Sequence, residues 1–116
     1  KLSHVADRPA AGLPYGTLKR VELARALASN PTMLMLDEPA TGLTHGEVDE
    51  LGALIRQVRD ERNLTVLLVE HHMAMVMSIS EKIVVLDYGA KIAEGEPDVV
   101  RRDPQVIEAY LGGGNS

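Results

Sequence analysis

Residues 33–69 constrain this chain more than any other stretch, because they join two short apolar runs through an amphipathic segment. Residues 33–36, Met-Leu-Met-Leu, are entered through Asn30 and Pro31 and left through Pro39. A run that short between two prolines predicts a strand, since helices run longer and do not sit between such breakers. The absence of alternation predicts burial on both faces, with no side turned to water. Residues 65–69 predict a second buried strand. Between the runs, Thr44 and Glu47 have the spacing of a capping box, and Val48, Leu51, Ile55 and Val58 recur at three- and four-residue steps. A helix is therefore expected to open after Thr44, to pack one face on the sheet and to end at Asn63. Strand, helix and strand of this kind form a crossover unit, which is almost always right-handed and makes the strands parallel.

Both predicted strands finish in polar residues, the first in Asp37 and Glu38 and the second in Glu70, His71 and His72. In open parallel sheets, ligands bind just beyond the carboxyl ends of the strands. Asp37, Glu38 and His71 are accordingly expected to converge on one sheet edge. Asp37 suits a hard cation or its water shell, and Glu38 suits polarising a nucleophile, which are the roles phosphoryl transfer asks of carboxylates. Taken by themselves, the two acids equally fit a second reading, in which they only cap the next turn.

The flanking segments add one more candidate. Residues 1–12 show no period and do not begin with Met, so the chain is expected to continue something begun earlier. Residues 13–17 (Leu13, Pro14, Tyr15, Gly16, Thr17) read as a turn opening a helix, with Leu18, Val21, Ala24 and Ala28 on one stripe, stopped by Asn30 and Pro31. A Gly-containing turn entering a helix N-terminus can bind an anion through free backbone N–H groups, or can be a plain junction. Downstream, residues 73–80 predict a short helix whose methionines fill core gaps. Residues 83–86 and 91–93 flank Asp87, Tyr88 and Gly89, a hairpin turn. Gly95, Glu96 and Pro97 lead into a short helix. Asp103 and Pro104 have N-cap and first-position character for a last helix ending at Leu111, followed by a frayed tail over 112–116. No internal repeat and no interdomain linker are evident.

Composition narrows the function classes. The 116 residues include no Phe, no Trp and three Tyr, so the core must be aliphatic and base stacking on aromatic platforms is disfavoured. A net charge of -5 disfavours a nucleic-acid backbone binder, and no nucleic-acid partner is expected. Zero cysteines exclude disulfides and thiolate metal sites within the chain. A zinc pair at His71 and His72 is a poor fit, because adjacent residues rarely converge on one metal and no third ligand is evident. No apolar run approaches the roughly 20 residues of a membrane helix, and a cytoplasmic protein is expected.

Taken in order and spacing, these segments resemble the C-terminal half of an ABC transporter nucleotide-binding subunit. Residues 13–17 match the signature loop, 20–27 its following helix, 33–38 the Walker B strand, 40–44 the D-loop and His71 the switch histidine. The Tyr15-Gly16 form of the signature, the Glu70-His71 pair before a Met-rich helix, and the ending from Asp103-Pro104 to Tyr110-Leu111-Gly112 are most similar to ATPases of branched-chain amino-acid importers. The resemblance implies an α/β fold, the C-terminal part of a P-loop NTPase (RecA-like) domain, with a mainly parallel sheet flanked by helices. It divides the chain into residues 1–30 (signature loop and helix of the helical subdomain), 31–96 (core sheet with Walker B, D-loop and switch histidine) and 97–116 (C-terminal helices and tail).

The same resemblance implies ATP and Mg²⁺ as cofactors. Asp37 would act on Mg²⁺ through its water shell, Glu38 would be the base or orienting group for the attacking water, and His71 would contact the γ-phosphate. Leu13, Pro14, Tyr15, Gly16 and Thr17 would close over ATP bound to a second ATPase subunit, identical or different, and Thr44 would belong to the D-loop contact. Integral membrane permease subunits and, indirectly, a solute-binding protein are the further partners implied, with the ATPase lying peripherally on the inner face of the cell membrane. The alternatives are a non-catalytic dimerisation or docking module, or a soluble non-transport ABC ATPase.

Three departures from the family pattern stand out. Pro14 occupies a position usually held by serine, removing a hydroxyl and one backbone N–H, while the N–H groups of Tyr15, Gly16 and Thr17 remain. Thr44 replaces the common D-loop aspartate. No G-x-x-x-x-G-K-[ST] occurs, since none of the ten glycines is followed by Lys, so the phosphate-cradling loop, the adenine-stacking aromatic and the glutamine loop are expected upstream of residue 1. The chain alone is expected to be inactive as an ATPase.

Overall fold

A computed structural model describes residues 2–111, with side chains to Tyr110. The chain divides into two compact units, the first ending at Val69 and the second starting at Glu70. The boundary falls inside the stretch 31–96 assigned above to one core sheet.

In the first unit, helix α1 (Tyr15–Leu27) is followed by strand β1 (Met33–Asp37), helix α2 (His45–Arg62) and strand β2 (Thr65–Val69). The two strands pair in parallel from Met33 opposite Thr65 to Asp37 opposite Val69, as expected of a crossover unit. The capping box at the start of α2 is present in both directions: the Thr44 hydroxyl accepts from the Glu47 N–H at 3.2 Å, and the Glu47 carboxylate accepts from the Thr44 N–H at 3.0 Å. Asn63 ends α2 in the left-handed conformation, with φ 54°. Both signals are local, which is why they read directly from sequence.

Leu23, Leu34 and Leu64 form the buried centre of this unit, with Leu27, Leu36, Leu54, Val58 and Val66 packed around them. Residues of α1 and α2 thus meet the same sheet face, the one carrying Leu34 and Leu36. Neither helix of the unit covers the opposite face: Met33 is 46%, Met35 70%, Leu67 48% and Val69 53% exposed. The expectation that residues 33–36 and 65–69 are buried on both sides is corrected on this point, because both helices of the unit lie against one face. The predicted stripe on α1 is also corrected. Leu23 is the buried residue, Leu27 packs beside it, and Ala24 and Ala28 are exposed. Two leucines four residues apart bury more apolar area than the alanines and set the rotation of the helix. The helix also starts earlier than expected, since Tyr15, Gly16 and Thr17 form its first turn after an extended Pro14 (φ -56°, ψ 151°).

The second unit contains helix α3 (Met73–Ile79), the antiparallel hairpin β3 (Ile83–Asp87) and β4 (Ala90–Gly95), and short helices α4 (Pro97–Val100) and α5 (Pro104–Val106), the last running into a π turn over Ile107–Leu111. Val76, Ile83, Val85, Val100 and Val106 make its core, with Met73 and Met77 packed against it, and Met75 is also buried. The methionines serve as core filler, as expected. Tyr88 and Gly89 take positive φ (48° and 79°) between the paired Asp87 and Ala90, the two-residue turn whose twist matches a hairpin. Asp103 caps α5 by accepting from the Gln105 N–H at 2.8 Å. The expected tail at 112–116 lies outside the described residues.

On β4, Glu94 binds two ammonium groups, Lys82 at 2.7 Å and Lys91 at 2.9 Å. These hydrogen bonds, from Lys82 foremost and then Lys91, hold its carboxyl down to about 2 from an ordinary 4.5. A carboxyl depressed in the folded state contributes stability that is present above its unfolded value and is lost as pH falls from about 4.5 toward 2. Glu94→Gln is therefore expected to be less stable than the native chain at pH 6 and to lose most of that difference by pH 2, with the difference shrinking at high salt. Chemical denaturation at the two pH values measures this, and a pH-independent difference would contradict it.

Candidate functional site

The site is built at the end of β1. Asp37 is the last strand residue, exposed and opposite Val69 in register. Glu38 leaves the strand in the left-handed region at φ 48°, while its N–H still donates to the Val69 carbonyl at 2.7 Å. A non-glycine residue in that region stores about 1–3 kcal/mol. The strong hydrogen bond to β2 holds it there and turns the chain sharply off the sheet. The turn continues with Thr41 N–H to Glu38 carbonyl at 3.3 Å and Leu43 N–H to Ala40 carbonyl at 3.2 Å, around a buried Ala40. The loop then ends in Thr44, whose hydroxyl is engaged as the cap of α2.

Residues 13–17 lie in the same unit. Leu13 is buried, Pro14 is extended, and the carbonyl of Pro14 accepts from Leu18 at 3.0 Å. The N–H groups of Tyr15, Gly16 and Thr17 belong to a first helical turn, where they have no acceptor one turn earlier in the helix. The Tyr15 hydroxyl donates to the Thr41 carbonyl at 3.2 Å, linking this turn to the loop after Glu38. Arg20 on α1 and Glu50 on α2 pair at 2.9 Å. A shallow cleft of about 240 Å³ between the two helices is lined by Pro14, Gly16, Thr17, Leu43, Glu47 and Leu51, among others. It is smaller than the roughly 300–1,000 Å³ of small-molecule sites.

His71 follows Glu70 at the start of the second unit and is exposed, with its N–H donating to the Glu70 carboxylate at 3.0 Å. His72 instead caps α3, its Nδ1 accepting from the Met75 N–H at 3.4 Å. The structure therefore gathers Asp37, Glu38, Thr44 and residues 13–17 within the first unit and places His71 in the second. The contacts that sequence reading missed are those of Thr41, Gly42 and Glu50, and the approach of the Glu47 carboxylate to Gly16. Gly42, in a Thr-Gly-Leu loop, was the one available signal, because its φ of 83° suits glycine.

Among the described residues, no three His, Asp or Glu side chains are grouped to cage a metal. One or two carboxylates at a strand end fit Mg²⁺, which keeps several waters and is usually completed by substrate phosphates. Asp37 is the residue that would hold it.

Comparison with known proteins agrees with this geometry. Residues 1–41 match the ABC transporter family, and residues 90–115 match the family described as branched-chain amino acid ATP-binding cassette transporter. The chain is 52% identical over 111 residues to the high-affinity branched-chain amino acid transport ATP-binding protein BraF of Pseudomonas aeruginosa, covering 96% of this chain and 44% of BraF. It is 48% identical over 107 residues to the LivG protein of the same description from Escherichia coli K12, covering 92% of this chain and 42% of LivG. The chain thus spans somewhat less than half the length of these curated relatives. At 43% and 37% identity stand a zinc import ATP-binding protein, ZnuC, of Alkalilimnicola ehrlichii and a lipopolysaccharide export ATP-binding protein, LptB, of Haemophilus influenzae. Among solved structures, the ADP conformation of an ATP-binding cassette of an ABC transporter superposes with a TM-score of 0.85 at 36% identity, over 96% of this chain and 45% of that one. With two carboxylates at the end of β1, a capped helix α2 and these matches across both units, the chain belongs to the ABC transporter ATP-binding domain family.

Proposed function

We propose that this chain is part of the ATP-hydrolysing subunit of an ABC transporter that powers import of branched-chain or related amino acids. The observation carrying the amino-acid assignment is the match of residues 90–115 to the branched-chain cassette family, since that segment lies outside the motifs common to all ABC ATPases. The 52% identity to BraF, against 43% to ZnuC and 37% to LptB, points the same way.

In this reading Glu38 orients the attacking water and accepts its proton. Asp37 would hold Mg²⁺ through its water shell, and His71 would meet the γ-phosphate. Bound Mg²⁺ supplies charge neutralisation on the phosphate oxygens. Residues 13–17 close over ATP held by a facing ATPase subunit. Because Pro14 lacks both N–H and hydroxyl, the first-turn N–H groups of Tyr15, Gly16 and Thr17 carry that contact, favoured by the helix dipole. The three-part division at residues 30 and 96 follows the same reading. No helix among the described residues is long and apolar enough to cross a membrane. In this reading the ATPase attaches to the membrane through permease subunits, with a solute-binding protein delivering the cargo.

The test is transport by the intact ATPase, assembled with its permease in proteoliposomes that hold ATP and Mg²⁺ in the lumen and meet the loaded binding protein from outside. ATP-dependent accumulation of leucine, isoleucine or valine is expected, with ATPase activity stimulated by the loaded binding protein. Stimulation by zinc or by a lipid cargo instead would overturn the amino-acid assignment.

A further inference from the structure

We propose that Tyr15 is a positioning residue that fastens the loop of residues 41–44 to the first turn of α1 within one subunit. Tyr15 is 50% exposed and lies outside the Leu23, Leu34 and Leu64 core, so its ring is not held by burial alone. Its hydroxyl donates to the Thr41 carbonyl at 3.2 Å. Its ring lies against the bare Cα of Gly42, where an added Cβ would come within 3.0 Å of Cε2 and 3.4 Å of Cζ. The Lys19 ammonium sits 5.3 Å from the ring centroid, a cation–π distance that restrains the ring from α1 itself.

A second tie joins the same two segments. The Glu47 carboxylate that accepts from the Thr44 N–H also approaches Gly16 so closely that a Cβ there would fall 2.4 Å from its Oε2. Arg20 and Glu50 brace the helices one turn further along. Gly16 and Gly42 are thus the two points at which side chains of the opposite segment meet bare backbone. A displacement of the first turn of α1 must carry the 41–44 loop with it. Under the proposed function, on which this consequence rests, closure over the facing subunit's nucleotide would reach the D-loop through Tyr15.

The link is tested on the 116-residue chain by amide hydrogen exchange. The reporters are Thr41, Leu43 and Thr44, the loop N–H groups bonded to Glu38, Ala40 and Glu47. Tyr15→Phe removes only the hydroxyl and should speed their exchange about three- to tenfold, the range set by one neutral hydrogen bond. Exchange in β1 and β2 should not change. Tyr15→Leu should speed it further. Gly42→Ala should disturb the loop strongly beside Tyr15 and less beside Tyr15→Leu, because part of its effect is the clash with the ring. Native exchange rates in Tyr15→Phe, or additive effects of Gly42→Ala and Tyr15→Leu, would overturn the link. In the intact subunit, Tyr15→Phe should lower kcat several-fold and leave the KM for ATP within about twofold, as expected of a positioning group. An unchanged kcat together with altered exchange would overturn the coupling to catalysis while leaving the link standing. A wild-type subunit without ATPase activity would instead count against the proposed function.

Discussion

In the intact ATPase subunit, Glu38→Gln is expected to bind ATP as the native protein does and to lose turnover by about 10²–10⁴-fold, the range for removing a positioned general base. The substitution keeps the size of the side chain and replaces a proton acceptor with an amide that is a poor one. It also leaves in place the 2.7 Å bond from the Glu38 N–H to the Val69 carbonyl at the left-handed φ of 48°, since that bond uses backbone atoms only. Loss of activity in this variant therefore reports on chemistry and not on the fold of the loop. Nucleotide should remain bound and the two ATPase subunits should stay closed on each other, visible as a stable dimer in the presence of ATP and Mg²⁺. Single-turnover measurement separates the hydrolytic step from binding. Turnover at the native rate would remove Glu38 from this role and return Asp37 and Glu38 to the plain capping reading.

The elements legible in the sequence were those fixed by local chemistry. Thr44 with Glu47, Asn63 after α2, the Tyr88-Gly89 turn and Asp103 before Pro104 each specify a backbone conformation through a neighbour at most a few residues away. The parallel pairing of β1 and β2 was also legible, because an amphipathic helix of this length between two short strands leaves little choice. What failed was the reading of coverage. The run Met-Leu-Met-Leu has no polar member to mark its exposed side, so Met33 and Met35 looked as buried as Leu34, and only the positions of α1 and α2 decide between them. The face of α1 failed for a related reason: alanines match the helical period as well as leucines do but contribute less buried area, so Leu23 and Leu27 set the rotation. Tyr15 was legible as part of a motif and not as a contact, because Thr41 lies 26 residues away and nothing local announces it.

Mixed with ATP and Mg²⁺, the 116-residue chain is expected to bind nucleotide with a Kd weaker than about 1 mM. Even that affinity requires about 4 kcal/mol. The groups present supply less. The sequence holds no G-x-x-x-x-G-K-[ST], so no nest of loop N–H groups and no P-loop lysine receives the phosphates. The anion-attracting feature of the candidate site, the first turn of α1, is worth typically 0.3–1 kcal/mol and about 2 at most. Asp37 and Glu38 repel a polyphosphate unless Mg²⁺ intervenes, and the net charge of -5 adds to that repulsion. Titration calorimetry on this chain, set beside the intact subunit, measures the difference, expected to exceed 100-fold. Micromolar binding by the chain alone would overturn the expectation and carry a specific consequence. It would mean that residues 13–17 or the end of β1 recognise nucleotide within a single subunit, and the assignment of the Tyr15, Gly16 and Thr17 N–H groups to a facing subunit's ATP would have to be withdrawn.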